Sequence, residues 1–450
     1  MMARWGRVAS RRFSSTSSPP PSAGYQAMGS FHTPSVEDIF LDTTPRPLPF
    51  HASAVPPMAP FGHYMKAAFF LDPRWTFLNH GAFGSTLRVA MHTAQLWRDY
   101  AEEQPLKFID RELFFYLVDS IKALAAYMHV EPLDLVLVPN ATTGLNVVIH
   151  GMTSTMQRGD SIYCLDVAYG AVKKLLHQVC TEQDLHLASE VLPYAISHDD
   201  DLILELVERT LPASCKLVVI DHVTSNTATV MPVKRIVELC RARGIPVLVD
   251  GAHGLLNLDL NVGDIGADFY VGNCHKWLCS TKGAAFLHVG PAYQHLMRPR
   301  TQSHGMEQGF QASFLWTGLQ DYSALLTLPQ LLTYWNQGDD KGARVRQYLH
   351  ETVDEAARAL SHCWHLPEVE VPLHKRCAMR LVLLPATVFG LPKGSQKTST
   401  DAKYVQDRLH REFHVEVPVK CIEGALYLRL SAHVYNSPEE YEYLSHVIHT

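Results

Sequence analysis

Six short apolar, β-rich runs between residues 135 and 289 constrain the fold of this chain more than any other feature of its sequence. Helical stretches such as 171–180 and 232–243 separate several of them. Runs of this length with intervening helices are typical of a parallel sheet that is covered on both faces. The runs are LVLVP (135–139), SIYCLD (161–166), KLVVI (216–220), IPVLVD (245–250), DFYVGN (268–273) and AAFLHV (284–289). The sequence therefore predicts an α/β fold.

Regular patterns continue on both sides of this block. Residues 86–104 and 111–128 have the periodicity of helices. After residue 340 the pattern predicts a helix, two strands and a closing helix, at 341–361, near 378–385, at 425–430 and at 438–448. We therefore predict a large domain at 61–340, which begins with an N-terminal segment at 61–85, and a small C-terminal α+β domain at 341–450.

The first 60 residues are predicted to lie outside the two domains. Residues 1–36 contain four arginines and no acid, whereas the whole chain has a net charge of −6. An Arg-rich, Ser-rich and acid-free N-terminus is typical of a mitochondrial transit peptide, which we predict at 1–30. The alternative is a low-complexity extension of a protein that stays in the cytoplasm. Residues 31–60 carry seven prolines, which predicts a linker or an extended arm.

Composition excludes several classes of protein. With 39 Lys and Arg against 45 Asp and Glu, the chain lacks the basic surface that nucleic-acid binding requires. No window of about 18 residues is apolar and free of charges, so no membrane span is predicted. Nine cysteines without a CxxC pair favour reduced thiols over a disulfide scaffold. The 25 histidines are not accompanied by an HExxH motif, and we predict no metal site.

Polar residues directly follow several of the apolar runs, at the sheet edge where ligands of such folds bind. Asn140-Ala-Thr-Thr-Gly144 follows the first run, where a helix N-terminus favours a phosphate, with simple N-capping as the alternative. Asp250 ends the fourth run and His253 follows it. The acid could hold a protonated ring nitrogen, with a cap of the next turn and a core histidine as the alternatives. Lys276 follows the fifth run beside Trp277, an apolar setting that would make its amine nucleophilic unless it is an ordinary lysine.

Together these motifs resemble the class V aminotransferases. The resemblance rests on Asp250-Gly-Ala-His253, on Asn273-Cys-His275-Lys276 with the lysine 26 residues after the aspartate, and on Lys282-Gly283. The segments FLNHGAFG (77–84), VPNATTG (138–144) and LRLSAHVYN (428–436) are similar to the isopenicillin N epimerase-like branch, which also holds the hercynylcysteine sulfoxide lyases. The resemblance implies a pyridoxal 5'-phosphate enzyme of fold type I, with a seven-stranded large domain, a small domain and active sites shared in a homodimer.

The resemblance also implies a role for each matching residue around the cofactor. Lys276 would form the Schiff base, Asp250 would pair with the pyridine nitrogen and His253 would contact the phenolic oxygen. Tyr169 would stack on the cofactor ring, with an ordinary core tyrosine as the alternative, and Ser225 would lie near the cofactor. The residues implied at the phosphate are Thr142, the backbone at Thr143, Asn273, His275 and, from the other subunit, Thr317.

The substrate implied by the resemblance is a small amino-acid derivative. Arg429 would bind its α-carboxylate, because a planar guanidinium can pair with a carboxylate through two hydrogen bonds. Asn79 and His80 would line the substrate pocket. Lys276 would then remove the Cα proton, through an external aldimine and a quinonoid intermediate.

Similarity to the fungal lyases, carried by residues 61–83 and 99–110, favours carbon–sulfur lysis as the outcome. Epimerisation and transamination use the same motifs and remain alternatives. Cysteine desulfuration is disfavoured, because the flexible candidate loop at 391–400 contains no cysteine. The presence of Lys276, Asp250 and Arg429 argues against a non-catalytic member of the family, and the lack of GxGxxG argues against a nicotinamide-dependent oxidoreductase.

Overall fold

The structure is a computed structural model that describes residues 31–51, 55–337 and 341–448. The predicted transit peptide at 1–30 lies outside the described residues, so mitochondrial import stays a prediction. The described part of the proline-rich segment forms an arm against the large domain. Its helix α1 (Val36–Leu41) buries Val36 and Ile39, and the ring of Phe31 lies 4.9 Å from that of Trp316. Burial of these apolar side chains makes the segment an arm rather than a linker.

A seven-stranded sheet forms the centre of the large domain, as the sequence predicts. A short strand, β1 (Thr76–Phe77), precedes it in the chain and pairs elsewhere. The strands of the sheet are β2 (Leu135–Val138), β3 (Ser161–Leu165), β4 (His186–Glu190), β5 (Cys215–Asp221), β6 (Val247–Asp250), β7 (Phe269–Asn273) and β8 (Ala285–Val289). Their spatial order is β2-β8-β7-β6-β5-β3-β4, and β8 alone runs antiparallel to its neighbours.

The six apolar runs correspond to six of these strands, and the seventh, β4, was not predicted. It lies at the edge of the sheet and pairs with β3 only, and Ala188 alone of its five residues is buried. An edge strand can carry polar residues such as His186 and Glu190, because only part of its surface faces the core. The missing apolar run is therefore a consequence of the position of β4 in the sheet.

Helices cover both faces of the sheet, and apolar clusters fill the two layers between sheet and helices. The helices of this part are α2 (His80–Phe83), α3 (Arg88–Glu103), α4 (Pro105–Lys107), α5 (Leu113–Met128), α6 (Ala141–Thr153), α7 (Gly170–Glu182), α8 (Asp200–Thr210), α9 (Val233–Ala242), α10 (Val262–Ile265), α11 (Phe310–Leu315), α12 (Ser323–Leu326) and α13 (Leu328–Trp335). Within the ranges that the structure describes, no helix has both the length and the apolar character needed to cross a bilayer.

The C-terminal part has its own core and its own antiparallel sheet. Its elements are α14 (Ala343–Cys363), β9 (Met379–Leu383), α15 (Ser399–Phe413), β10 (Val415–Glu416), β11 (Val419–Ile422), β12 (Ala425–Ser431) and α16 (Pro438–Ile448). Strand β1 pairs with β10, so the 61–85 segment, which the sequence analysis placed with the large domain, contributes a strand to the small domain. This pairing carries Asn79 and His80 to the junction of the two domains.

Candidate active site

A cavity of about 160 Å³ lies at the carboxyl ends of the parallel strands β5, β6 and β7. Strand directions bring these ends to one edge of the sheet, where ligands bind in doubly wound folds. The wall of the cavity contains eight of the thirteen predicted site residues, namely Thr142, Tyr169, Ser225, Asp250, His253, Asn273, His275 and Lys276. The structure therefore brings together residues that are up to 134 positions apart in the chain.

Lys276 is a buried amine in this wall. Its Nζ lies 3.1 Å from Nε2 of His253, so its side-chain hydrogen bond runs to an imidazole and not to a carboxylate. Burial lowers the pKa of Lys276 to about 8, and Asp250 opposes that effect while Arg429 adds to it. An amine with this pKa is partly neutral near physiological pH and can act as a nucleophile or a base.

Trp277 determines which nitrogen of His253 carries the proton. The indole Nε1–H of Trp277 donates to Nδ1 of His253 at 3.3 Å. Burial, with Lys276 and Arg429, lowers the pKa of His253 well below its ordinary value, so the ring is neutral. Because Nδ1 accepts, the single ring proton is on Nε2, which faces Lys276. His253 therefore presents a hydrogen-bond donor to the cavity.

Two carboxyl groups share the strand ends opposite the lysine. Asp250 on β6 is the register partner of Asp221 on β5, and both line the cavity. Asp250 accepts a hydrogen bond from Ala252 N–H at 3.0 Å, which stabilises its ionised form, and this bond is also the turn cap considered as the alternative. Burial and the charge of Asp250 raise the pKa of Asp221 well above its usual value. Burial raises the pKa of Asp250 as well, against the Ala252 hydrogen bond and the charge of Lys276, so Asp221 is the acid of the pair that holds a proton more strongly.

The N-terminus of α6 faces the same cavity. Asn140 caps this helix, as the alternative interpretation of the turn predicted, and Asn273 accepts a hydrogen bond from Ala141 N–H at 2.9 Å. Thr142 in the first turn lines the cavity, and His275 adds a buried Nδ1 that has no partner among the described residues. A helix N-terminus with hydroxyl and imidazole groups around it has the chemistry of a phosphate site.

Two of the residues predicted at the phosphate do not line this cavity. Thr143 and Thr317 line a second cavity of about 490 Å³, which shares Thr142 with the first. Thr143 also bonds Asn140 through its hydroxyl at 3.1 Å. The role of Thr317 toward a second subunit stays a prediction.

Two aromatic residues flank the open side of the cavity. Tyr169 is 46% exposed and precedes α7, and Phe83 at the end of α2 is 74% exposed. Both belong to the cavity wall. Exposure at this level contradicts the alternative that Tyr169 is an ordinary core tyrosine.

Arg429 on β12 is a buried cation without a carboxylate partner among its hydrogen bonds. Its Nη1 donates to Ser225 O at 2.6 Å and its Nη2 donates to Asn79 Oδ1 at 2.9 Å. Burial lowers the pKa of Arg429 to about 10, and Nε has no partner in the described structure. Its charge in turn lowers the pKa of Lys276 and of His253. A guanidinium kept in this state is suited to an anionic substrate group.

The three residues predicted to bind substrate, Asn79, His80 and Arg429, do not line this cavity, and their substrate roles stay predictions. Asn79 holds Arg429 from behind, and His80 is fully buried on the other side of the Lys276 backbone. His80 Nε2 donates to Lys276 O at 3.0 Å, and its Nδ1 lies 2.8 Å from the Tyr435 hydroxyl. The sequence shows that His80 lies close to a site but not on which side of the lysine it packs, because that depends on the pairing of β1 with β10.

No cysteine lines the cavity wall, and all nine cysteines lie in the described part of the chain. Cys363 is exposed at the end of α14, and Cys421 donates to Lys397 O at 3.1 Å. Cys274, two residues before Lys276, is fully buried, and burial raises the pKa of its thiol. A thiol that could accept sulfur at Lys276 is therefore absent from the wall as described.

Sequence reasoning missed three residues of this site. Asp221 ends the KLVVI run, so the rule of strand-end polar residues applies to it as it did to Asp250. Phe83 lies within the FLNHGAFG motif, but nothing in the sequence indicates that its ring is exposed. Trp277 follows Lys276 and looks like an ordinary core residue, since its role depends on the distance between two loops.

Comparisons with known proteins agree with this arrangement. The profile of the aminotransferase class-V family matches residues 118–314, a range that includes Thr142 to Lys276 of the cavity wall. A provisionally named L-cysteine desulfhydrase 1 of Oryza sativa subsp. japonica is 30% identical over 400 residues, which cover 82% of this chain and 81% of that protein. An isopenicillin N epimerase of Amycolatopsis lactamdurans is 26% identical over 393 residues, covering 84% and 95%.

Solved structures show the same fold at low identity. The apo cysteine desulfurase of Thermococcus onnurineus NA1 superposes with a TM-score of 0.70 and 18% identity, covering 87% of this chain and 98% of that one. The cystine C–S lyase C-DES, in complex with its product cysteine persulfide, gives 0.68 and 19%, covering 84% and 97%. The architecture is that of fold type I, as predicted.

Proposed function

The chain belongs to the class-V aminotransferase family, and from that membership we propose that it is a pyridoxal-phosphate-dependent carbon–sulfur lyase of cysteine-derived amino acids. The observation that carries the proposal is one cavity whose wall holds a buried amine, Lys276, and a buried carboxylate, Asp250, while the buried guanidinium of Arg429, which has no carboxylate partner among its hydrogen bonds, bonds Ser225 of the same wall. An α-amino acid has the complementary carboxylate, and the family cofactor has a ring nitrogen for the acid.

The residues of the cavity fit the cofactor of the family. The N-terminus of α6, with Thr142, Asn273 and the unpartnered Nδ1 of His275, would hold its phosphate. Asp250 would hold a proton on the ring nitrogen, and Tyr169 at the open side would cover the ring. His253 and Ser225 would lie at the phenolic oxygen, where the Nε2–H of His253 is a ready donor.

Bound in this way, pyridoxal phosphate supplies an electron sink for negative charge at the substrate Cα. Arg429 binds the α-carboxylate and orients the Cα–H bond toward Lys276. Lys276 Nζ, with its pKa lowered to about 8, takes the Cα proton. Asp250 is the acid of the pair that would carry the charge, because burial and the charge of Asp250 raise the pKa of Asp221 well above its usual value while Lys276 opposes the rise at Asp250.

Two observations favour breakage of the carbon–sulfur bond over other outcomes. L-cysteine desulfhydrases and a cystine C–S lyase are among the proteins this chain resembles. The cavity wall has no thiol to take up sulfur, which disfavours the desulfurase route. Hercynylcysteine sulfoxide is the substrate that we propose within this class. Epimerisation is the second candidate, because isopenicillin N epimerases are also relatives.

The position of the cofactor is tested by fixing it with borohydride. Protein incubated with pyridoxal phosphate and reduced should carry the label on the peptide that contains Lys276. Lys276→Met should abolish the label, and the matched variant Lys282→Met, six residues along the chain, should keep it. A label on Lys282 would refute the assignment.

The reaction is tested by its products. Hercynylcysteine sulfoxide, cysteine and cysteine sulfinate are each added to the holoenzyme, and pyruvate, ammonia and alanine are measured. Elimination of a β-sulfur group should release pyruvate and ammonia in equal amounts. Alanine with free sulfur would indicate a desulfurase, and exchange of the Cα proton in deuterated water without pyruvate would indicate an epimerase.

A further inference from the structure

Three successive carbonyl groups of the Lys276 loop each accept a hydrogen bond from a buried aromatic ring. His80 Nε2 donates to the carbonyl of residue 276 at 3.0 Å, and His433 Nε2 donates to that of residue 277 at 3.0 Å. Trp335 Nε1 donates to the carbonyl of residue 278 at 2.8 Å. The three donors come from α2, the residues after β12 and α13, so distant parts of the chain hold this loop from behind.

His80 and His433 form a stacked imidazole pair, with ring centroids 4.1 Å apart and planes inclined by 24°. Both side chains are fully buried, and burial lowers the pKa of both, that of His433 to about 4. Each ring is therefore neutral and has one N–H, which the carbonyl contact places on Nε2. His80 Nδ1 then accepts from the Tyr435 hydroxyl at 2.8 Å.

A histidine at position 433 is unfavourable for the stability of the fold. Its Nδ1 is buried and has no hydrogen-bond partner in the described structure. A buried acceptor left unpaired destabilises a fold, so an apolar residue of similar size would suit stability better. What the imidazole adds is the donor on Nε2, and that donor points at the backbone next to Lys276.

The segment that carries His80 packs tightly on the same loop. A Cβ atom on Gly84 would lie 2.2 Å from His275 O and 2.8 Å from Lys276 Cα, so only a glycine fits there. Gly84 also has a φ of +66°, in the region that favours glycine. The backbone of residues 80–84 therefore lies directly against Lys276, which leaves this loop little freedom to shift.

We propose that His80 and His433 are positioning residues for Lys276: as a pair of neutral Nε2–H donors they hold the carbonyls of residues 276 and 277 and so aim the lysine amine into the cavity. The inference rests on the proposed function, in which Lys276 carries the cofactor and moves the Cα proton. A displacement of about 1 Å at such a group costs about 10²-fold in rate, which is the scale of effect expected.

The same pair also forms a cluster with Cys279 in which the possible metal-ligating atoms lie within 4.8 Å of one another. Cys279 Sγ is 3.4 Å from His433 Nε2 and 3.8 Å from His80 Nε2. Both Nε2 atoms carry protons directed at carbonyl groups, so neither offers a lone pair to a metal ion. The absence of a metal site stays a prediction, and metal analysis forms part of the test.

The test compares His433→Leu, which removes the donor, with His433→Gln, whose amide N–H can reach the same carbonyl. His288→Leu is the matched control, because His288 is also a buried histidine with an unpartnered Nδ1 but lies on β8. The measurements are kcat and KM of the holoenzyme, the rate at which borohydride-fixable pyridoxal phosphate appears on Lys276, the urea midpoint of unfolding and the zinc content of each purified protein.

We expect His433→Leu to lower kcat by about 10²-fold and to slow the labelling of Lys276, with KM within about twofold and no loss of stability. His433→Gln should recover much of both rates, and His288→Leu should match the wild type. His80→Gln and His80→Leu should repeat the contrast if a His433 variant does not fold.

Three results would overturn the proposal: wild-type rates in His433→Leu, equal losses in the Leu and Gln variants that follow a loss of stability, or stoichiometric zinc that disappears with His433. Failure of the proposed function is a separate result, since it would appear as wild-type protein that is not labelled at Lys276.

Discussion

Two groups of buried charges in this protein are organised in opposite ways. At the cavity, Lys276 in the wall and Arg429, which bonds Ser225 of the wall, hydrogen-bond to an imidazole, a carbonyl and an amide, and to no carboxylate. By contrast, Asp354 on helix α14 pairs with Arg376 at 2.7 Å and also with Arg380 on β9. Both groups are buried, but only the second is neutralised by its own neighbours.

The difference distinguishes buried charges that remain available for a ligand from buried charges that stabilise the packing of the domain. A buried charge without a partner has a large desolvation cost, which shows as the lowered pKa of Lys276 and of Arg429. A protein that carries this cost keeps the charge available for a ligand. The paired charges of Asp354 and Arg380 have no such capacity left, and they hold α14 against β9 instead.

The largest effect of a single substitution on turnover is expected at Lys276. Lys276→Met should lower turnover on the order of 10⁴-fold or more, since the group that moves the proton is lost. The same change should stabilise the fold at pH 7 by about 3 kcal/mol, because one pKa unit corresponds to about 1.4 kcal/mol and burial lowers the pKa of Lys276 from 10.5 to about 8.

The sign of this stability effect depends on pH. Between pH 8 and 10.5 the unfolded chain binds a proton at Lys276 that the folded chain does not, so the wild type gains stability as the pH rises. The advantage of Lys276→Met should therefore shrink over this window, in urea unfolding measured from pH 7 to pH 10. Lys216→Met, at an exposed position on β5, is the control, and an equal gain in both variants would contradict the interpretation.

Removal of one partner from the paired group should have the opposite pattern. Asp354→Asn leaves the buried Arg380 with only a more distant acid, Glu368 at 3.7 Å, which costs on the order of 3 kcal/mol in the free energy of unfolding. Turnover per folded molecule should stay at the wild-type value, since this group does not face the cavity wall. Urea unfolding and activity corrected for the folded fraction measure the two effects, and a loss of kcat would show that the clusters are coupled.

The smallest contrast lies within the cavity, between two neighbouring acids. Asp250→Asn should lower turnover on the order of 10²-fold, because an amide cannot neutralise a protonated ring nitrogen. Asp221→Asn should stay within about threefold at pH 7, because the raised pKa of Asp221 favours its neutral form, which an amide replaces without a change of charge. Steady-state rates and the visible absorption of the holoenzyme distinguish the two, and equal losses would place the charge on both acids.

The sequence alone predicted much of the fold and of the site. Six of the seven sheet strands are apolar runs, because strands buried on both faces leave no room for polar residues. Asp250, His253 and Lys276 were expected from their positions at or just after the ends of such runs, since parallel strands end at the same edge of a sheet, whereas the roles of Asn273 and His275 were implied by the resemblance to the family. Edge strand β4 was missed, because its exposed positions carry polar residues and so it does not form a continuous apolar run.

What only the tertiary structure decided is which side of the lysine each distant residue occupies. Arg429 on β12 bonds Ser225 of the cavity wall, whereas His80, also expected in the substrate pocket, packs against the Lys276 carbonyl beside His433. The pKa of Asp221 is raised by burial and by Asp250, which the register of β5 and β6 sets opposite it. The polar residue at the end of a strand is encoded locally, but contacts between segments hundreds of residues apart depend on how the two domains pack, and no local pattern records that packing.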